Sequence, residues 1–374
     1  ASVYGLQQLS VVEVDQIEVV KGAGSALYGG NAIAGAVNII SHVPSSSEGH
    51  VGVEVGQYGT NKYELSAGTR IDNLAVFLFA QQNRADEIDE TGDGYYRDEV
   101  YEPDGITDRV RSNMKNAGFN LVLEDLSGWD RLSLKGRILN ENRQGGEVAD
   151  DLFENIFAPG TERIITDRYN IEMGYEKSFS GGSELGVTAS YTKHDRNATN
   201  DTFLGDYESI YGELPPVEEL RPYIANEKLF TATLNYLLPL GGHRLMLGSQ
   251  YSHNNLDETG KYIVVDESDP DFGTAYTSES NKKADEIGLF VQDEYAISSK
   301  LDAVGGLRFD YHNSEDNFRG SGDISNGDFE PIEYEETSFN PRFAVKYSFS
   351  PELTVRGSFG TGFRVPYGFS EDLH

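Results

Sequence analysis

A cluster of carboxylates between residues 84 and 112 is the part of the sequence best suited to binding a metal ion. The segment has four arginines and ten acidic residues: Asp86, Glu87, Asp89, Glu90, Asp93, Asp98, Glu99, Glu102, Asp104 and Asp108. Calcium takes about six to eight oxygen ligands, although the spacing here is not that of an EF-hand loop. Gly92 and Gly94 allow the chain to bend between carboxylates. The pattern predicts a calcium site at Asp86, Asp89 and Asp93, with a solvated acidic loop as the alternative.

The rest of the sequence offers no constellation suited to catalysis. The chain has no cysteine, and its seven histidines lack the spacing of transition-metal ligands. A formal net charge of −32 argues against a nucleic-acid partner, because phosphates would be repelled. Gly22 and Gly24 suggest a dinucleotide-binding loop, but Leu27 stands where such a loop needs its third glycine. We therefore expect no enzyme and no cofactor other than the calcium.

Strictly alternating segments occupy the chain from about residue 50 onward. In residues 339–349, Phe339, Phe343 and Tyr347 share one face, while Arg342 and Lys346 share the other. A period of two predicts a strand with one apolar and one polar face. Thirteen strands are predicted near residues 50–57, 61–70, 73–83, 113–123, 129–141, 166–178, 183–195, 227–239, 242–253, 284–297, 300–313, 337–350 and 352–363.

The connections between these strands alternate between short and long, apart from a brief first loop at 58–60. The long connections are residues 84–112, 142–165, 196–226, 254–283 and 314–336. Short periplasmic turns and long extracellular loops are typical of transmembrane β-barrels, whose strands are also long. The sequence therefore predicts an all-β fold, an antiparallel transmembrane β-barrel. A barrel must close in lipid, and a strand run that stops near residue 363 leads us to expect a fragment.

The segment from residue 16 to residue 41 carries the most specific signal. It contains Ile17-Glu18-Val19-Val20-Lys21-Gly22, then Ser25-Ala26-Leu27-Tyr28-Gly29, then Gly35-Ala36-Val37-Asn38-Ile39-Ile40. This pattern closely resembles the C-terminal part of the plug domain in TonB-dependent outer-membrane receptors. The resemblance assigns the motif to Gly22, Ser25, Leu27, Tyr28, Gly29, Gly35 and Asn38.

The resemblance implies both an architecture and a function. Residues 1–46 would be the C-terminal remnant of an α+β plug domain, and residues 47–374 would supply about 13 of the 22 strands of such a barrel. The protein would lie in the outer membrane of a Gram-negative bacterium, among lipid and lipopolysaccharide. The inner-membrane protein TonB would energise uptake of a scarce nutrient, foremost a ferric siderophore. Haem or cobalamin is the alternative nutrient within the family, and a passive porin-like barrel is the alternative of another class.

The resemblance places ligand binding in the five long loops, and the faces of the strands suggest a second feature of the lumen. Cations on the polar, lumen-facing side are Arg131, Lys135, Arg137, Arg308, Arg342, Lys346, Arg356 and Arg364. One interpretation pairs them with plug carboxylates and with neighbours such as Glu172 and Asp310. The other is a basic lumen that holds an anionic ligand such as a ferric chelate. The acidic loops could also be bridged to lipopolysaccharide through divalent ions.

Overall fold

The computed structural model arranges the chain as one large antiparallel sheet and one small sheet. It describes residues 8, 10–21, 35–90, 103, 105–126, 129–146, 161–199, 201–213, 223–264, 267–270, 272–320 and 330–363. A short 3-10 helix, Val11–Glu13, precedes the first strand. Among the described residues, no helix is both long and apolar enough to span a bilayer.

Fifteen strands and one α-helix make up the described regular structure. The strands are β1 (Val14–Lys21), β2 (Gly35–Ser41), β3 (Glu48–Val55), β4 (Asn61–Ile71), β5 (Leu74–Ala85), β6 (Arg111–Leu126), β7 (Trp129–Gly146), β8 (Thr161–Ser178), β9 (Glu184–Thr199), β10 (Tyr223–Leu240), β11 (His243–Ile263), β12 (Ala275–Ser298), β13 (Leu301–Gly320), β14 (Ile332–Ser348) and β15 (Thr354–Gly360). Helix α1 (Asp201–Tyr211) lies between β9 and β10.

The large sheet is a meander in which every strand pairs with its neighbours along the chain. Its thirteen strands run in the order β3 to β15, and β1 and β2 form the small sheet. The predicted number of thirteen barrel strands is confirmed. In the described part of the chain the sheet is open, with β3 and β15 at its two edges.

The large sheet has an apolar outer face and a polar inner face, the reverse of a soluble sheet. Leu289 and Phe339 on the outer face are 55% and 62% exposed. Asn116 and Asp310 on the inner face are buried. This distribution suits a wall with lipid outside and a polar lumen inside. The predicted face containing Phe339 and Phe343 is the outer one.

The turns at one end of the sheet are short and use residues that tolerate a left-handed backbone. Asp72 has a φ of 52° and Gly241 a φ of 62°. Aspartate tolerates this region better than most residues, and glycine adopts it freely. Each turn therefore reverses the chain within a few residues, which agrees with the predicted periplasmic end.

At the opposite end the strands run well beyond their predicted limits. Strand β11 continues to Ile263 and β12 begins at Ala275, whereas the predicted loop covered residues 254–283. Likewise, β13 continues to Gly320 inside the predicted loop 314–336. These extensions carry polar residues on both faces, so no hydrophobic alternation marks them. Helix α1 is a further correction, because it lies within the predicted loop 196–226.

Candidate functional site

The small sheet and the residues before it contact the inner face of the wall through buried polar side chains. Ser10 Oγ donates a hydrogen bond to Gln81 Oε1 at 2.6 Å. Gln8 Nε2 donates to Glu141 Oε2 at 2.5 Å, and Asn116 Nδ2 donates to the Gln8 carbonyl at 3.2 Å. Because these bonds join β5, β6 and β7 to the residues before β1, they hold the small sheet against the lumen wall.

An ion pair reinforces this contact at the end of the 3-10 helix. The guanidinium of Arg137 on β7 pairs with the carboxylate of Glu13, which is buried. Burial raises the pKa of Glu13 above its ordinary value, although Arg137 acts in the opposite direction. The predicted pairing of a lumen cation with a plug carboxylate is therefore realised at Arg137.

His42 occupies the joint between the small sheet and the first strand of the wall. Its ring lies 2.8 Å from Asp15 Oδ1 on β1 and also contacts Glu48 at the start of β3. Its carbonyl accepts a hydrogen bond from Asn120 Nδ2 at 2.8 Å, and its ring meets Phe77 edge-on at 5.0 Å. Burial lowers the pKa of His42, but the hydrogen bonds to the two carboxylates outweigh it, so the pKa is raised.

Other predicted lumen cations also pair with acidic residues on the wall. Lys135 Nζ lies 3.0 Å from Glu172 Oε1, and Arg131 Nη1 lies 3.1 Å from Glu176 Oε2. Near the turns, Lys346 Nζ lies 3.1 Å from Asp302 Oδ2. These contacts favour the pairing interpretation over an uncompensated basic lumen. Arg364 lies outside the described residues.

The most deeply buried charge on the wall is Arg308. It is 1% exposed, donates from Nε to Asp310 Oδ1 at 2.7 Å and donates from Nη2 to Gln250 Oε1 at 3.0 Å. Gly288 lies between these partners, paired with Gln250 on one side and Asp310 on the other. A Cβ at Gly288 would lie 1.9 Å from Arg308 Nη2. The glycine therefore lets the guanidinium cross β12.

A second buried cluster on the inner face lies toward the long connections. Tyr223 donates its hydroxyl to Glu258 Oε1 at 2.7 Å, and Lys282 Nζ donates to Glu258 Oε2 at 2.7 Å. The guanidinium carbon of Arg196 lies 5.9 Å from the centre of the Tyr223 ring. All four residues fall in segments predicted as loops. Only their spacing by two residues from neighbouring strand positions hinted that they face inward.

The described part of the acidic segment is cross-linked by hydrogen bonds. Glu87 accepts two bonds from Arg111 at 2.7 and 2.8 Å, and this lowers the pKa of Glu87. Asp89 Oδ2 accepts a bond from the Gly105 amide at 3.0 Å, and Arg84 Nη2 lies 3.4 Å from Asp86 Oδ1. Within the described residues, no group of three carboxylate or histidine side chains is arranged to hold a metal ion. Asp93 lies outside them, so the calcium site stays a prediction.

The plug motif is described only in its last part. Gly35 opens β2 with a φ of 138°, a conformation that favours glycine. Asn38 Nδ2 donates to Glu18 Oε2 at 3.0 Å across the small sheet. The remaining motif residues, Gly22, Ser25, Leu27, Tyr28 and Gly29, lie outside the described residues.

The comparison with known families identifies the fold. Residues 50–373 match the family described as TonB dependent receptor-like, beta-barrel. The chain belongs to the TonB-dependent receptor family. Residues 1–36 also match the TonB-dependent receptor plug domain.

Individual relatives of this TonB-dependent receptor are distant. The iron-regulated outer membrane virulence protein of Vibrio cholerae is 23% identical over 363 residues, covering 94% of this chain and 44% of its own length. The vitamin B12 transporter BtuB of Vibrio vulnificus is 53% identical over only 38 residues, 10% of this chain and 6% of its own length. The crystal structure of the siderophore receptor PiuA from Acinetobacter baumannii superposes with a TM-score of 0.64 at 15% identity, covering 91% of this chain and 52% of PiuA.

Two conclusions follow from family membership. TonB-dependent receptors are outer-membrane proteins of Gram-negative bacteria, and they are not enzymes. The chain spans less than half the length of the Vibrio cholerae relative. The nutrient and the protein partners of the whole receptor are therefore matters for proposal.

Proposed function

We propose that the protein is an outer-membrane receptor for the TonB-energised uptake of a ferric siderophore. The observation that carries this proposal is the docking of the plug sheet on a polar wall through Gln8, Ser10 and Glu13. A passive porin-like barrel has no need of such a docked sheet. The names of the Vibrio cholerae and Acinetobacter baumannii relatives support iron and siderophore as the cargo.

The chemistry of the plug contact suits a segment that must move. Hydrogen bonds in an aqueous lumen exchange for bonds to water, at a net cost of only about 0.5–1.5 kcal/mol each. Mechanical work by TonB on the plug would therefore release it in small steps. TonB is the energy-coupling partner in this proposal.

The ligand would be captured by the long connections, residues 84–112, 142–165, 196–226, 254–283 and 314–336. Calcium bound at Asp86, Asp89 and Asp93 would order the first of these for capture of an anionic chelate. Without a cation, the acidic residues there would repel such a ligand. Outer-leaflet lipid and lipopolysaccharide would surround the wall, since its outer face is apolar.

Cobalamin is the second candidate, because the BtuB match falls on 38 residues at higher identity than the whole-chain relatives. That match is too short to include the loops that would choose a ligand. Haem is the third nutrient to test.

Ligand titration tests the proposal on the protein as its gene encodes it, purified in detergent. Ferric siderophores, haem and cobalamin are titrated separately, each with calcium and with a chelator. Tight binding of one ferric siderophore supports the proposal, and its loss with chelator supports the calcium site. Binding of cobalamin or haem alone replaces the cargo, while ion conductance without any ligand binding favours the porin.

A further inference from the structure

The outer face of β5 to β8 carries apolar grooves of a size suited to acyl chains. One groove of about 450 Å³ is lined by Leu78, Ile138, Tyr169 and Ile171, among others. Leu78 and Ile138 are each 53% exposed on this face. Side chains of this kind on the outside of a wall contact lipid chains.

A basic cavity lies on the same face, nearer the long connections. It measures about 280 Å³ and is lined by Arg84, Arg111 and Arg163, with Ser112, Asn113, Asn142 and Gln144. None of these lining residues is acidic. In a chain with a net charge of −32, three arginines around one cavity are a pronounced local reversal of charge.

Strand register explains how the three arginines come together. Arg111 pairs with Gln144, which pairs with Arg163, so two arginines flank one amide across three strands. In the adjacent row, Arg84 pairs with Asn113, which pairs with Asn142. All six positions point outward, because each lies an even number of residues from an outward apolar position on its own strand or directly opposite one that does.

The vertical position of the cavity matches the border of the membrane. Arg84 follows Leu78 by six residues on β5, a distance of about 20 Å along an extended strand. A second groove of about 580 Å³ connects the two levels, since its lining includes Leu65 and Ala80 as well as Lys115 and Asn140. Apolar chains and a charged headgroup of one molecule would both find partners here.

Contacts with neighbouring residues fix the directions of the arginines. Arg111 makes its two bonds to Glu87 at 2.7 and 2.8 Å. Arg163 Nε donates to Asn142 Oδ1 at 3.1 Å. Arginine binds phosphate in a bidentate manner when its planar head is held in place, and these contacts provide that support.

We propose that the cavity of Arg84, Arg111 and Arg163 binds a phosphate of lipopolysaccharide, with the acyl chains of the same molecule in the apolar grooves of β5 to β8. This rests on lipopolysaccharide as a partner, stated above, and assigns its site. The acidic segment contributes by orienting Arg111, rather than by bridging to the lipid through divalent ions.

The test measures binding of diphosphorylated lipid A, dephosphorylated lipid A and inorganic phosphate to the detergent-purified protein. The double variant Arg84→Gln/Arg163→Gln removes two charges and leaves the Arg111–Glu87 pair intact. We expect its affinity for diphosphorylated lipid A to fall by about tenfold or more, since charged hydrogen bonds are lost. Arg319→Gln, an outward arginine on β13, is the matched control and should bind normally.

Several outcomes would overturn the proposal. These are equal affinity for the phosphorylated and dephosphorylated lipid, an equal loss in Arg319→Gln, or tight binding of inorganic phosphate without preference for the lipid. Retention of the folded form on a gel without heating shows that a loss is not unfolding. Ferric-siderophore binding is measured on the same samples. Its absence beside intact lipid binding would refute the uptake proposal alone.

Discussion

Removing Arg137 isolates the electrostatic part of plug docking. In Arg137→Met, the buried carboxylate of Glu13 loses its cation and must either remain charged or take up a proton. Protonating a carboxyl with an ordinary pKa of 4.5 costs about 1.4 kcal/mol for each pH unit above that value. The penalty at pH 7 is therefore limited to about 3.4 kcal/mol. Removing one partner of a buried pair costs about 3–5 kcal/mol, so we expect a loss near that limit.

The sign of the pH dependence follows from the direction of the shift. Burial already raises the pKa of Glu13, so its docking is most favourable below pH 4.5 and weakens as the pH rises through the raised pKa. Arg137→Met raises that pKa further. The penalty should therefore shrink to about 0.7 kcal/mol at pH 5.

Hydrogen–deuterium exchange at β1 measures this penalty, because its amides exchange when the small sheet leaves the wall. A loss of about 3 kcal/mol corresponds to exchange roughly 150-fold faster at pH 7. The double variant Glu13→Gln/Arg137→Met is the control, since it leaves no buried charge and should recover most of the protection. A penalty equal at pH 5 and pH 7, or a double variant as weak as the single one, would refute this reasoning.

Three further predictions concern the joint, the wall and the lipid-facing surface. The raised pKa of His42 means that its stabilisation of the joint is complete below pH 6.5 and is lost as the pH rises through the raised value; His42→Gln should abolish that step in amide exchange of residues 42–47. Gly288→Ala should destabilise the wall by about 1–3 kcal/mol through displacement of Arg308, whereas Gly306→Ala, whose nearest neighbour would be 3.5 Å away, should be tolerated in thermal unfolding. Leu289→Arg should cost up to about 2–4 kcal/mol in lipid-vesicle refolding, and an unchanged midpoint would show that Leu289 does not face lipid.

The membrane-spanning parts of the strands were predictable because lipid imposes a period of two on them. The predicted strand 300–313 begins within one residue of β13, and the predicted strand 352–363 overlaps β15. The outer extensions were not predictable in this way. Ala275 to about residue 283 of β12 has polar residues on both faces, and only its pairing with β11 and β13 makes it a strand.

The candidate site was predictable where a partner lies on the same or an adjacent strand in simple register. Arg308 and Asp310 are two residues apart, so their shared face was evident. The part played by Gln250 was not, because it depends on Gly288 lying opposite it and opposite Asp310. His42 was one of seven scattered histidines in the sequence. Its position between β1 and β3 follows only from the docking of one sheet on another.

The plug sheet keeps its apolar residues away from the wall. Ile17 and Val19 are 57% and 59% exposed, whereas the contacts with the wall are made by polar groups around Ser10 and Glu13. Apolar burial would add about 25 cal/mol for each Å² hidden, and all of it would be lost on separation. Polar contacts in a wet lumen are instead replaced by water. The wall strands are joined by continuous ladders of pairing, which have no such substitute within lipid. A force applied to the plug should therefore detach the small sheet before it disturbs the wall.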